Sequence, residues 1–164
     1  MIDKATREKI ISLIRREVVP ALGCTEPIAV SLAVAKATEL LGMQPEEINL
    51  GLSGNIIKNA MGVGIPGTGM IGLPIAIALG SLIGKSEYGL EVLKEVSPEA
   101  VDRGKAFIES VPINIKHLPD SPSNLHVDVE VRAQGHSARA VISREHTFFV
   151  FLEKDGRTIF AEEE

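Results

Sequence analysis

The sequence predicts an α+β fold, with buried helices in its first half and an antiparallel sheet of three or four strands in its C-terminal third. Two observations carry this prediction. Apolar residues recur at helical spacing, or fill whole segments, up to about residue 110. The pattern then changes to alternation of apolar and polar residues, most clearly over 126–133. The length of 164 residues fits a single domain spanning 1–164.

Two helices are predicted at the beginning of the chain. Asp3 can cap the first, whose apolar stripe ends at about Val18, and Pro20 stops it. The second helix covers 26–41 with Thr25 as its cap. It is apolar nearly all round, which predicts deep burial.

The middle of the chain predicts one strand and four helical segments, and the C-terminal third predicts four strands. The strand is 48–52, and the helical segments are 55–61, 70–83, 88–95 and 98–110. The four later strands are 126–133, 137–143, 146–153 and 157–161. Pro74 should bend the helix that contains it, and Ser97 is typical of a helix cap. Lys154-Asp155-Gly156 predicts a hairpin turn between the last two strands.

Composition excludes several classes of function. A net charge of −5 argues against nucleic-acid binding, which needs a basic surface. The uncharged segment 60–84 has the length of a membrane span, but seven glycines and two prolines interrupt it, so we expect no membrane insertion. The charged first residues do not form a signal peptide, and a lone cysteine suits a reducing compartment. We therefore expect a cytoplasmic protein that acts on small molecules or binds a protein partner.

The one cysteine, Cys24, lies just before the second predicted helix. Unpaired backbone N–H groups and the helix dipole at such a position lower a thiol pKa and favour thiolate. An inert buried thiol, a metal ligand and a nucleophile paired with His146 are all compatible with this position. His146 is the strongest candidate of the four histidines because it begins a predicted strand.

The glycine-rich segment 62–67 matches the pattern G-x-G-x-x-G, but the residues before it predict a helix rather than the strand that a dinucleotide site needs. Gly67-Thr68-Gly69 instead predicts a helix start whose N–H groups hold a substrate carboxylate. Compact polar residues precede this loop and are expected to face a shared cavity: Ser53, Asn55, Lys58 and Asn59. Lys58 is the only cation between Lys36 and Lys85, so it is a candidate anion ligand or base.

Three segments together resemble a known family. GCTEP at 23–27, SGNIIKNAMGVGIPGTG at 53–69 and the stretch 135–156 resemble the L-cysteine desulfidase family, which is similar to the alpha chain of iron–sulfur L-serine dehydratases. The resemblance implies a lyase without pyridoxal phosphate that converts L-cysteine to pyruvate, ammonia and sulfide. It also implies a [4Fe–4S] cluster held by three cysteines, with one iron open to substrate.

By position in this resemblance, Cys24 is the first cluster ligand, and L-cysteine or L-serine is the substrate. The catalytic candidates are Lys58 and His146, and the substrate-binding candidates are Ser53, Asn55, Asn59, Gly67 and Thr68.

One departure from the family is large, because its members are longer and their other cluster cysteines lie beyond the segment matched here. We therefore expect the N-terminal portion of a longer enzyme, or one subunit of a split enzyme completed by a C-terminal half or partner subunit. The isolated chain should hold no intact cluster and have no activity. The alternatives are a catalytically silent binding or assembly module, an L-serine dehydratase-like subunit and a metal-free thiol enzyme. A homo-oligomer stays open.

Overall fold

A computed structural model describes residues 2–17 and 24–162 and confirms the α+β class. The helices are α1 (Lys4–Glu17), α2 (Thr25–Leu41), α3 (Gly54–Ala60), α4 (Leu73–Leu82) and α5 (Pro98–Ser110), with a 3-10 helix at Ser86–Glu91. The strands are β1 (Glu47–Leu52), β2 (Gly64–Ile65), β3 (Met70–Ile71), β4 (Ile113–His117), β5 (His126–Ala133), β6 (His136–Ser143), β7 (Phe149–Lys154) and β8 (Arg157–Ala161).

The main sheet has six strands in the order β4-β1-β5-β6-β7-β8, not the three or four that the sequence predicted. Only the β1–β4 pair in it is parallel, and the other neighbours are antiparallel. The predicted number of strands was too low because β1 was not assigned to the C-terminal sheet and β4 was not predicted. Pairing β1 with β4 joins the two halves of the chain into one sheet.

One face of the sheet is covered by helices. Val127, Val129 and Val131 are fully buried beneath α2, which explains the apolar alternation of β5. α4 packs on α2, and α5 packs on α4. The approach of α2 and α4 is close: a Cβ on Gly80 would lie 2.6 Å from the carbonyl oxygen of Ser31.

Contacts at its two ends fix the direction of α2 across the sheet. Lys154 Nζ at the end of β7 donates to the Leu41 carbonyl, 3.1 Å away, so α2 ends where β7 ends. The start of α2 therefore lies at the opposite edge, where β7 begins. β1, β4 and β6 end at this edge and β5 begins there, since Leu52 pairs with His117 and His126 pairs with Ser143. We call this end of the strands, where α2 begins, the α2-start edge.

Several local predictions are corrected. The first two residues of the helix predicted over 70–83 form β3 instead, and α4 begins only after Gly72 (φ 90°). Pro74 lies in the first turn of α4, where its missing N–H is tolerated, so it does not bend a longer helix. The helix predicted over 88–95 is the 3-10 helix, and β7 begins at Phe149 rather than residue 146.

Other predicted boundaries are confirmed. α5 begins after Ser97, whose Oγ accepts from the Ala100 N–H at 3.1 Å, and it ends at Ser110. The bounds of β5 and β8 match those predicted. The predicted helix end at Val18, the stop at Pro20 and the first residue of the 23–27 motif lie outside the described residues. No helix among 2–17 and 24–162 is long and apolar enough to cross a membrane.

Candidate functional site

Cys24 occupies the N-cap position of α2, a place that the sequence had given to Thr25. Its Sγ donates to Oε2 of Glu26, 2.9 Å away, and Thr25 Oγ1 lies 3.4 Å from the same oxygen. The thiol is only partly exposed. The first turn of α2 therefore places a carboxylate directly against the one thiol of the chain.

His146 meets the same carboxylate from the loop between β6 and β7. Its Nε2 lies 3.7 Å from Oε1 of Glu26, and this nitrogen is shielded from solvent without a hydrogen-bond partner among the described residues. The α2-start edge thus brings together a thiol, a carboxylate and an imidazole from distant parts of the chain. We call these residues the Cys24–Glu26–His146 cluster.

The electrostatics of the cluster correct one expectation. Burial raises the pKa of the Cys24 thiol above its ordinary value, and the hydrogen bond to the Glu26 carboxylate raises it further. Backbone N–H groups at the helix start act in the opposite direction, as the sequence predicted, but they do not prevail. The S–H donor lowers the pKa of Glu26. The free chain therefore holds a protonated thiol beside an ionised carboxylate.

The polar residues around α3 lie at the same edge of the sheet, without a described contact to the cluster. Ser53 is buried, and its Oγ donates to the Asn124 carbonyl at 2.8 Å and accepts from the His126 N–H at 3.1 Å. This hydroxyl ties the start of α3 to the start of β5. Asn55, Lys58 and Asn59 are exposed on α3. Their substrate role stays a prediction.

Gly67 and Thr68 form the turn of the β2–β3 hairpin, so the predicted helix start is wrong, and their substrate role stays a prediction. Thr68 Oγ1 donates to the Ile65 carbonyl at 2.6 Å and accepts from the Met70 N–H at 2.9 Å. Gly67 has φ 76°, and a Cβ there would lie 2.6 Å from Val96 Cγ1. The hydroxyl and glycine of this turn close the hairpin.

Two functional side chains were not selected from the sequence. Glu26 was not among the predicted candidates, although a carboxylate in the first helical turn is a recognisable signal. His126 was not selected among the four histidines, but it is 9% exposed, and its Nδ1 lies 3.0 Å from Ser143 Oγ. Burial lowers the pKa of His126, so its imidazole is neutral at neutral pH.

The donor set does not fit a four-iron cluster by itself. The chain has one cysteine, and such a cluster is held by several thiolates. Among the described residues, no three His, Cys, Asp or Glu side chains are grouped closely enough to hold a metal ion. Cys24 can therefore supply only one thiolate to a site that requires other ligands.

Comparison with known proteins gives relatives under one name. The chain is 60% identical over 151 residues to a UPF0597 protein of Bacteroides fragilis, covering 92% of this chain and 35% of that protein. It is 55% identical over 156 residues to one of Bacteroides thetaiotaomicron and 46% over 160 residues to one of Aeromonas hydrophila, covering 95% and 98% of this chain and 36% of each relative. The chain thus spans about a third of the length of these curated relatives. No family model and no solved structure matches.

These names correct the family resemblance. The relatives are called UPF0597 proteins, and no name of an L-cysteine desulfidase or a serine dehydratase occurs among them. The assignment to the desulfidase family from 23–27, 53–69 and 135–156 is therefore wrong. The relatives that match the chain carry a different name, so any chemistry for this chain must be argued from its own residues.

Proposed function

We propose that the chain is part of a longer carbon–sulfur lyase that releases sulfide from L-cysteine, with Cys24 as one thiolate ligand of an iron–sulfur centre completed outside this chain. The observation that carries the proposal is the Cys24–Glu26–His146 cluster. A soft ligand, a carboxylate and an imidazole converge at one edge of the sheet. The length of the relatives, of which this chain spans about a third, supports a larger catalytic unit.

The reaction requires groups that the cluster can supply. Elimination of sulfide from L-cysteine breaks the Cα–H and Cβ–S bonds and gives 2-aminoacrylate and HS⁻. The imine tautomer of 2-aminoacrylate then takes up water to give pyruvate and ammonia. A general base must remove the α-proton, and an imidazole whose Nε2 has no hydrogen-bond partner within 2–17 and 24–162 is suited to that role. His146 is the base that we propose, with Lys58 as the alternative on α3.

Glu26 controls both neighbours. One oxygen of its ionised carboxylate accepts a hydrogen bond from the Cys24 thiol, and the other oxygen faces His146 Nε2. A carboxylate in this position orients the imidazole. We do not assign a reaction step to the iron–sulfur centre, because the donors of this chain do not complete one.

Two rival functions differ in what they predict. A metal-free thiol enzyme needs a thiol pKa near or below neutrality, but burial and Glu26 raise the pKa of Cys24, which argues against it. A silent binding module needs no chemistry at the cluster. L-Serine instead of L-cysteine as substrate stays open within the lyase proposal. A reducing, cytoplasmic setting is part of the proposal, since it preserves a single thiol.

A chimera tests the function. The 160 residues of this chain that match the Aeromonas hydrophila relative replace the corresponding segment of that protein. Sulfide and pyruvate release from L-cysteine are then measured anaerobically, together with the iron and acid-labile sulfide content. We expect activity that Cys24→Ser and His146→Asn abolish. The matched control is His136→Asn, because His136 lies at the opposite edge and pairs with Asp155 at 3.0 Å.

Two outcomes contradict the proposal. Full activity and iron content in the Cys24→Ser chimera would remove Cys24 from the metal site. A folded, iron-loaded chimera that acts on neither L-cysteine nor L-serine would favour the silent module. The isolated chain should form no stoichiometric chromophore after reconstitution with iron and sulfide.

A further inference from the structure

A second polar site lies on the face of the sheet that the helices leave open. Arg144, which follows β6, forms an ion pair with Glu162, and both line a cavity of about 380 Å³. The remaining lining residues are Pro122, His126, Ser143 and Val150. Because side chains alternate along β5, His126 points away from Val127, which is buried beneath α2. The cavity is therefore separate from the Cys24–Glu26–His146 cluster.

The backbones of the two charged residues at this cavity are held in place by hydrogen bonds. The Arg144 N–H donates to the Leu125 carbonyl at 2.9 Å, and its guanidinium lies 5.0 Å from the centroid of the Phe148 ring. The Glu162 N–H donates to the Val150 carbonyl at 2.8 Å. The positive Arg144 and the negative Glu162 therefore lie next to each other, and a backbone hydrogen bond fixes the main chain of each residue.

The inner wall adds polar groups without net charge. His126 is nine-tenths buried, and its Nδ1 is hydrogen-bonded to Ser143 Oγ at 3.0 Å. Burial favours the neutral imidazole. With Arg144 positive and Glu162 negative, the lining carries no net charge. A ligand with one positive and one negative group matches this arrangement better than a net anion or a net cation.

We propose that the Arg144–Glu162 cavity binds a small zwitterion, a free α-amino acid, with its carboxylate on Arg144 and its ammonium on Glu162. The planar guanidinium suits a carboxylate in two-point geometry. An exposed Arg–Glu pair contributes little to stability, so the two side chains can separate around a ligand. The volume lies at the small end of ligand cavities, which favours a molecule of a few heavy atoms.

This inference goes beyond the proposed lyase function and does not depend on Cys24. Its test is an NMR titration of the ¹⁵N-labelled chain with L-serine, which avoids thiol oxidation. Two analogues each lack one charge: 3-hydroxypropanoate has no ammonium, and ethanolamine has no carboxylate. We expect saturable shifts with L-serine in 122–126, 143–150 and 160–162, and at least tenfold weaker binding of both analogues.

Variants locate the site. Arg144→Met and Glu162→Gln should each weaken L-serine binding at least tenfold. The matched controls are Arg132→Met and Glu130→Gln, since these residues form another exposed pair on the same sheet, 2.8 Å apart. His136→Asn should leave binding unchanged, since His136 lies at the opposite end of the strands, where it pairs with Asp155.

Three results overturn the inference. They are the absence of saturable shifts with L-serine, equal binding of 3-hydroxypropanoate, which would indicate a plain anion site, and unchanged binding in a folded Glu162→Gln variant. If Arg144→Met does not fold, Glu162→Gln and the two analogues still decide the question.

Discussion

Oε1 of Glu26 at the start of α2 lies 3.7 Å from Nε2 of His146 in the loop between β6 and β7. The other oxygen of the same carboxylate accepts a hydrogen bond from the Cys24 thiol. One side chain therefore links the helical layer to the sheet at the position where the only cysteine lies. The reactivity of that cysteine should depend on Glu26 more than on the helix dipole.

Glu26→Gln should speed alkylation of Cys24. The substitution removes the negative charge that raises the thiol pKa, so the thiolate fraction near pH 8 increases. The measurement is the iodoacetamide rate as a function of pH, with Glu39→Gln near the far end of α2 as control. An unchanged pH profile in Glu26→Gln would show that burial alone sets the thiol pKa.

Ser53→Ala should destabilise the fold by about 1–3 kcal/mol, because it leaves the Asn124 carbonyl and the His126 N–H without their partner hydroxyl. The check is urea denaturation followed by circular dichroism. Ser110→Ala is the control, since that exposed hydroxyl donates only within α5, to the Ala106 carbonyl. A stability loss in Ser110→Ala equal to that in Ser53→Ala would contradict the buried tie.

Gly80→Ala should cost about 1–3 kcal/mol through overpacking, because the new methyl group meets Ser31 backbone atoms rather than a flexible side chain. Gly62→Ala is the matched control, since a Cβ there has no neighbour within 4 Å. The free energy of unfolding of both variants decides the outcome. Equal effects would mean that α2 and α4 can move apart freely.

His126 should make the protein acid-sensitive. Its pKa in the folded state is below the ordinary value of 6.5, so the unfolded chain binds the proton more readily. This contribution is present above pH 6.5 and is lost as the pH falls through the folded pKa. His126→Gln should therefore flatten the fall in unfolding free energy below pH 6.5, whereas the exposed control His117→Gln should not.

The parts of the fold that follow one local pattern were predictable. Strict alternation gave the bounds of β5, and the Ser97-Pro98-Glu99 start gave α5. β4 was missed because its short run of polar and apolar residues becomes a strand only through pairing with distant β1. β3 was predicted as the start of a helix because its residues are apolar like those of α4, and its pairing with β2 depends on the turn that Thr68 closes.

Two residues of the candidate site could be predicted from the sequence, but their arrangement could not. Cys24 and His146 were selected for their positions beside predicted elements, but no spacing along the chain could place them around Glu26. Their proximity depends on α2 crossing the sheet with its start at the beginning of β7. The pKa of the thiol was predicted in the wrong direction, because burial cannot be seen in a residue's neighbours along the sequence.

The parallel pairing of β1 with β4 has a consequence for how the chain reaches this structure. Ile48 pairs with Ile113, so the intervening helices and hairpin form a loop that must close before that edge of the sheet exists. Contacts so distant in sequence slow folding. The antiparallel strands β5–β8 need only short connections and can assemble first. When the complete chain refolds, we therefore expect β4 to pair with β1 after strands β5–β8 have formed.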